Sequence, residues 1–433
     1  MDIIKMDNGC KIFSYCPDIE ESALEQMQAL TSLTFVKHAA LMPDAHMGMM
    51  MPIGGVIACD NVIIPTAVGV DIGCGMGAIK TSLTKDQLED MSLRRKLLNA
   101  LKKEIPVGFT HNSPVRMDKI RTEYLDKRDY ELNISCDREF FPLFDKKDKP
   151  SEINSWDLNS KFFDATLSQL GTLGGGNHFL EFQHDEDGAV WVMVHSGSRN
   201  IGKRVCDFFD NLAKTLNKKW HSETIEGLSY FPADSREGQE YLKWMQASLD
   251  FAYLNRRVML ECTKGVIREE FPDVEFITDS VVNDAENGII NIHHNFASLE
   301  NHFGKNYWIH RKGATWAKEG MTGLIPGSMG TNSYVVKGLG NPRSMMSCSH
   351  GAGRKMGRRA FNRMMADQLH EVEESLKGIV YPRWGKIGFG KDKGLLDVSE
   401  SPMAYKDIDT VMSNQLDLVT PVVKLYPMMC LKG

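Results

Sequence analysis

Two groups of residues along this chain have the types and spacing for chemistry, and both sit at glycine-rich turns. The first opens with PDAHMG and VGVDIGCGMG, which supply Asp44, His46, Asp71 and Cys74. An apolar run entering Asp-Ile-Gly-Cys-Gly sets a carboxylate and a thiol on one tight loop. Once deprotonated, both are ligands for a borderline divalent metal. GTLGGGNHFLEF, HDEDGA and VWVMVHSGSRNIG follow. Read as a hairpin with Asp185–Gly188 as its loop, His184 pairs with Ala189. His178 then stands opposite His195 on one face, with Cβ atoms roughly 5 Å apart. Such a pair can share one metal or flank two. GIINIHHN adds His294, and strand alternation sends His293 to the opposite face.

The second group is RKGAT, LIPGSMGTNSYVV and SMMSCSHGAGRKMGRR. Ser328 and Ser333, with the free amides of the Pro-Gly-Ser-Met-Gly turn, can hold phosphate oxygens. Small residues leave His350 uncrowded just before an expected helix start, where N–H groups favour an anion. Arg354 and Arg358, at i and i+4, would share one helix face. A histidine beside a cationic anion trap suits attack on a phosphate to form a phosphoramidate. The run GTLGGGN precedes a strand rather than opening a helix, so it fits neither dinucleotide nor P-loop mechanics. Its expected role is close approach of backbone to a ligand. Thiolate–imidazole metal ligands beside such a histidine point to phosphate chemistry. They leave open a dinuclear phosphoesterase and a non-catalytic nucleotide-binding factor.

The elements that must position these groups read as a mixed α+β fold: one large domain with mixed β-sheets flanked by helices. Helices are expected over Thr84–Glu104 (a Thr84/Gln87 capping box at its start, Pro106 at its end), Ile201–Trp220, Gly238–Glu270 and Gly353–Leu376. In the third, Tyr241, Met245, Leu249, Ala252 and Tyr253 recur at helical spacing and read as core. Short β-like runs bounded by glycine lie between, without the regular alternation of a doubly wound sheet. Residues 116–157 are charged and irregular, which suggests a surface insertion or lid.

The net charge of −6 over 433 residues argues against a surface coated for nonspecific nucleic-acid binding. A local basic cleft remains compatible with it. Nine cysteines without a CxxC pair read as reduced, buried thiols. Neither a signal peptide nor a run of about 20 apolar residues is visible, so a cytoplasmic protein without a membrane segment is expected.

Taken in order, PDAH, VGVDIGCG, GGGNHFLE, HSGSR, HHN, RKGA, PGSMG, SHGAGR, AYKDID and the terminal KG resemble the RtcB family of GTP-dependent RNA ligases, from about His38 to Gly433. The resemblance implies two Mn2+ ions on Asp71, Cys74, His178, His195 and His294, with Cys74 bridging, and His350 as the residue that becomes guanylylated. It puts Asn177, Glu181, Asn295, Ser328, Ser333, Gly353 and Lys432 on the guanylate. It puts Arg199 on the RNA end, with Arg354 and Arg358 beside the nucleophile. It implies joining of a 3′-phosphate or 2′,3′-cyclic phosphate to a 5′-hydroxyl in RNA repair or tRNA splicing. A related capping of DNA 3′-phosphates is the alternative, and an archease-like activator is an implied partner of a monomer. One departure from the family pattern is Met50 in HMGMMMP, where a glycine is expected.

Overall fold

A computed structural model describes the chain except for residues 7, 126–166, 223, 226, 279–280, 282–287 and 389. Two sheets dominate the described residues. A six-stranded sheet runs in the order Asp2–Lys5, Lys11–Ser14, Val36–His46, Ile53–Cys59, Lys305–Lys312, Asn295–His302. An eight-stranded sheet runs Phe276–Ile277, Gly75–Thr84, Ala189–Ser196, Phe179–His184, Val419–Lys432, Ser333–Gly338, Thr322–Ile325, with Ile290–His293 also on Gly75–Thr84. Parallel and antiparallel pairs coexist, as the α+β reading expects.

Alternation sorts the second sheet into two faces. Leu180, Phe182, Val190, Val192 and Val194 pack into the core formed with the helices Asn200–Trp220 and Arg236–Glu270. The opposite face carries Phe179, Glu181 and His195, and it is the one that meets the site. Ser235 caps the long helix by accepting from Gly238 N–H at 3.0 Å. These two helices match their expected spans within two residues.

Four expectations need correction. The hairpin pairs His184 with Val190 and Phe179 with His195, one residue out of the expected register. The cause is Asp185: its N–H donates to Ala189 O at 2.9 Å, and its Oδ1 accepts from the Asp187 and Ala189 amides. The loop is therefore Glu186–Gly188, and His178 lies just before the strand, free of its alternation.

The expected helix 84–104 is divided. The Thr84/Gln87 box caps only a 3-10 turn, Lys85–Leu88, and Asp90 starts a separate helix, Met91–Glu104, by accepting from Ser92 N–H at 2.8 Å. The expected helix 353–376 is also divided, into Arg358–Met364 and Leu369–Glu374. Residues 353–355 instead pair with 404–406, where Lys355 N–H donates to Ala404 O and Lys406 N–H to Gly353 O. Arg354 and Arg358 thus share no helix face, and the helix that follows His350 starts only at Arg358. Last, the expected irregular segment begins inside a helix, Pro114–Glu123, capped by Ser113. Its part from 126 to 157 lies outside the described residues.

Met50 adopts φ +67°, the left-handed conformation a glycine would take. Its loop is pinned by the buried Lys312, whose Nζ donates to the Met49 and Thr66 carbonyls.

Candidate active site

Strand ends and turns from both sheets converge on a cleft of about 870 Å³, lined among others by His46, Asn177, Glu181, His195, Ser328, His350, Gly353, Arg354, Arg358 and Lys432. At its floor the candidate metal donors face one another. Cys74 Sγ lies 3.4 Å from His178 Nε2 and 3.2 Å from His195 Nε2. His195 Nε2 lies 3.4 Å from His294 Nε2, and His178 Nε2 lies 3.0 Å from Asp71 Oδ2. All five expected ligands thus share one cluster, as two overlapping groups that meet at Cys74.

Burial pushes the Cys74 thiol well up and the His195 and His294 imidazoles well down. Burial is the largest influence on Asp71 and raises its carboxyl, but His178, the hydrogen bond with Cys74 and the charge of Arg199 together hold it below the usual carboxylate range. Burial thus keeps the His195 and His294 imidazoles neutral and ready to ligate, while the Cys74 thiol needs a cation to give up its proton. His293 points away, as expected, toward Gly73 O and the guanidinium of Arg256.

His350 closes the cluster from above, its ring 4.8 Å from that of His294. Its Nδ1 donates to Asp44 Oδ2 at 2.6 Å, and Asp44 also accepts the His350 and Gly351 amides at 3.1 and 3.3 Å. Asp44 is fully buried. A carboxylate on Nδ1 fixes the tautomer and leaves the Nε2 lone pair available. Gly353 is required where it stands: at φ +74°, a Cβ there would lie 2.3 Å from Asp44 O.

Opposite lies a cationic knot. Lys432 Nζ, Arg358 Nε and Arg354 Nη1 reach the Glu400 carboxylate at 3.0, 2.9 and 3.3 Å, and Tyr405 donates to it at 2.5 Å. Despite burial, those three cations hold Glu400 down at about 2. Glu181 differs: burial pushes its carboxyl well up, and its Oε1 is buried without a hydrogen-bond partner.

Three expected residues stand outside the cleft wall. Ser333 is buried and accepts from Gln183 Nε2 and the Gly327 amide, holding the Pro326–Gly327 turn. Asn295 ties the Asp71 carbonyl to the Gly313 amide. Arg199 lies beside the metal donors, its Nη2 donating to Gly108 O at 2.9 Å and its Nε to Thr172 Oγ1 at 3.1 Å. It adopts φ 60°, ψ −142°, a conformation that costs on the order of 1–3 kcal/mol and recurs at functional sites.

Sequence reasoning left Asp44 without a role and did not single out Glu400, Tyr405 or Arg256. Arg256 is fully buried mid-helix and donates to the Gly73 and Ser196 carbonyls at 2.9 and 2.8 Å. It places a positive charge beside Cys74 and pins the backbone on both sides of the cluster. A charged residue in the buried stripe of an apolar helix was the available signal.

The model of the family described as tRNA-splicing ligase RtcB matches residues 26–433. An RNA-splicing ligase RtcB of Escherichia coli is 37% identical over 431 residues, covering 96% of this chain and 95% of that protein. A tRNA-splicing ligase RtcB of Methanococcus maripaludis is 31% identical over 467 residues, covering 96% of this chain and 92% of that protein.

Proposed function

The chain belongs to the RtcB family and is an RNA ligase; we propose that it joins an RNA 3′-phosphate or 2′,3′-cyclic phosphate end to a 5′-hydroxyl end through a guanylate on His350. The observation that carries this reading is the mounting of His350. Its imidazole is oriented by the fully buried Asp44 carboxylate, and it lines the cleft with the cations around Glu400 on one side and the candidate metal donors on the other.

The donor set fits a divalent metal. Five donors face one another, and His294 Nδ1 is buried without a partner. A buried thiol among imidazoles and a carboxylate is a donor set that suits a borderline divalent ion such as Mn2+ or Zn2+. Asp71, Cys74, His178, His195 and His294 would hold it, and when bound it supplies charge neutralisation for phosphate oxygens and the leaving pyrophosphate.

The chain's own residues do the rest. His350 Nε2 attacks the α-phosphorus of GTP; an N–P bond forms, the P–O bond to pyrophosphate breaks, and Asp44 keeps the Nδ1 proton in place. Arg354, Arg358 and Lys432 carry more positive charge than Glu400 neutralises, so they attract the nucleotide phosphates. Glu181, with its partnerless oxygen, and Asn177 would read the nucleotide, together with Ser328 and Gly353, which line the same cleft. Ser333 and Asn295 act through the turns they hold. The guanylate then passes to the RNA 3′-phosphate, and attack by the 5′-hydroxyl releases GMP. Arg199 would hold the RNA end beside the metal donors.

The test is a joining assay with RNA strands bearing a 3′-phosphate and a 5′-hydroxyl, in Mn2+ with GTP or ATP. Joined product with GTP and none without nucleotide is expected. Removal of phosphate without joining would overturn the reading in favour of a dinuclear phosphoesterase. Transfer of GMP to DNA 3′-phosphates in preference to RNA would move the substrate to DNA.

A further inference from the structure

Beside the metal donors stands an aromatic side chain for which the reaction scheme has no use. Phe109 is 98% exposed, the most exposed large apolar side chain among the described residues. Singly exposed hydrophobic residues are ordinary on protein surfaces, so exposure alone carries nothing. Its mounting does.

The turn that bears it is clamped from several sides. Gly108 N–H donates to Gly174 O at 2.8 Å, and Val107 bridges the same glycine. Arg199 Nη2 donates to Gly108 O at 2.9 Å, one residue from Phe109. Next along the chain, His111 Nδ1 lies 2.7 Å from Ser168 Oγ. The ring is thus held out by a fixed backbone.

Between the Phe109 turn and the candidate metal donors lie Gly174 and Gly175, with the Arg199 guanidinium packed on Gly174. Gly174 has φ +94°, and a Cβ there would lie 2.1 Å from Arg199 Nη1 and 2.8 Å from His178 Nδ1. Gly175 abuts Gly108. A strand end gripped by Arg199 would therefore lie next to the turn that carries the Phe109 ring. Lys102 and Lys103, both exposed, end the helix that leads into this turn and add positive charge along the approach.

We propose that Phe109 is a stacking platform for the unpaired terminal nucleobase of the RNA end held by Arg199. This inference rests on the RNA-ligase reading. Every base has a π-face that an aromatic side chain can take, so the platform serves ends of any sequence. Because the backbone that carries the ring is already fixed, only the side-chain rotamer has to be ordered on binding.

The experiment uses the full chain with Mn2+ and GTP and two RNA strands. One has 2-aminopurine at its 3′-phosphate terminus, the other at its 5′-hydroxyl terminus. Wild type and Phe109→Tyr are expected to quench one of the two labels, and Phe109→Ala to relieve that quenching. Phe109→Ala should also raise KM for the RNA roughly five- to hundredfold with kcat within about twofold, the split expected for lost substrate binding. GMP uptake on His350 without RNA should be unchanged.

Equal quenching and equal KM in wild type and Phe109→Ala would overturn the platform alone. A Phe109→Ala defect already present in RNA-free GMP uptake would overturn it in favour of a structural role. A wild-type protein that neither takes up GMP nor joins RNA would overturn the ligase reading, and the platform with it.

Discussion

The two halves of the cleft treat charge in opposite ways. Around Glu400, three cations and a tyrosine hydroxyl share one carboxylate, and the knot holds together as it stands. Around Cys74, a thiol, three imidazoles and a carboxylate face one another over 3.0–3.4 Å, with burial opposing charge on the thiol and on His195 and His294. The first half has surplus positive charge and suits an anion; the second has surplus lone pairs and suits a cation. His350 stands at their boundary, so a nucleotide triphosphate with its metal would complete both halves at once. The difference teaches that neither cluster need be catalytic by itself. In the proposed reaction the chemistry belongs to the residue that both sides address, His350.

Breaking the cation-seeking half should have the largest effect. Cys74→Ala is expected to lower Mn2+ affinity more than about a hundredfold, beyond the 10–100-fold typical of residues behind the ligands. Metal analysis after dialysis reads it, and unchanged metal content would remove Cys74 from the ligand set. Next is the orienting carboxylate. Asp44→Asn should slow guanylate uptake about 10²–10⁴-fold by allowing the wrong imidazole tautomer. Metal content should stay at the wild-type level, and a parallel loss of metal would mean that Asp44 supports the cluster rather than His350.

The anion-seeking half should respond more modestly. Glu400→Gln keeps the cations but loosens their placement, and KM for GTP should rise about tenfold, with metal affinity unchanged. The same variant tests the pH dependence. A carboxyl held at about 2 in the fold, against roughly 4.3 unfolded, contributes stability that is complete above the unfolded value. That stability is lost as pH falls from about 5 toward 2, on the order of 1–3 kcal/mol. Urea titrations at several pH values should show a shallower acid loss in Glu400→Gln than in wild type, and parallel curves would refute the assignment.

The smallest effect on activity is expected away from the cleft. Arg311 is fully buried and paired with Glu300 at 2.5 Å; His302 and Trp316 complete that network. Glu300→Gln should cost about 3–5 kcal/mol of stability while guanylate uptake per folded molecule stays unchanged. A selective loss of uptake would show that this knot is coupled to the site.

Much of the donor set was legible because glycine-rich turns announce where backbone yields to a ligand, and Cys74, His178 and His195 stand next to such turns, while His294 was legible from the short strand in GIINIHH. Asp44 was visible as a carboxylate in PDAH, but its partner is 306 residues away and no local pattern connects them. Glu400 and Tyr405 were hidden for the same reason. The hairpin register failed by one residue because the Asp185 side chain supplies turn bonds that loop length alone does not specify. The helix expected after His350 failed because pairing of residues 353–355 with 404–406 outcompeted helical hydrogen bonding there. Arg354 and Arg358 reach one place all the same, since both converge on Glu400 rather than on a shared helix face. The two long helices were legible because their apolar stripes run unbroken over many turns.

The most direct test of the central claim is incubation of the protein with α-labelled GTP and Mn2+ in the absence of RNA, followed by denaturation and mapping of the label. An acid-labile GMP adduct on His350, abolished in His350→Ala while that variant keeps its fold and its metal, is the expected result. Absence of label on the wild-type protein, or label that persists in His350→Ala, would contradict it.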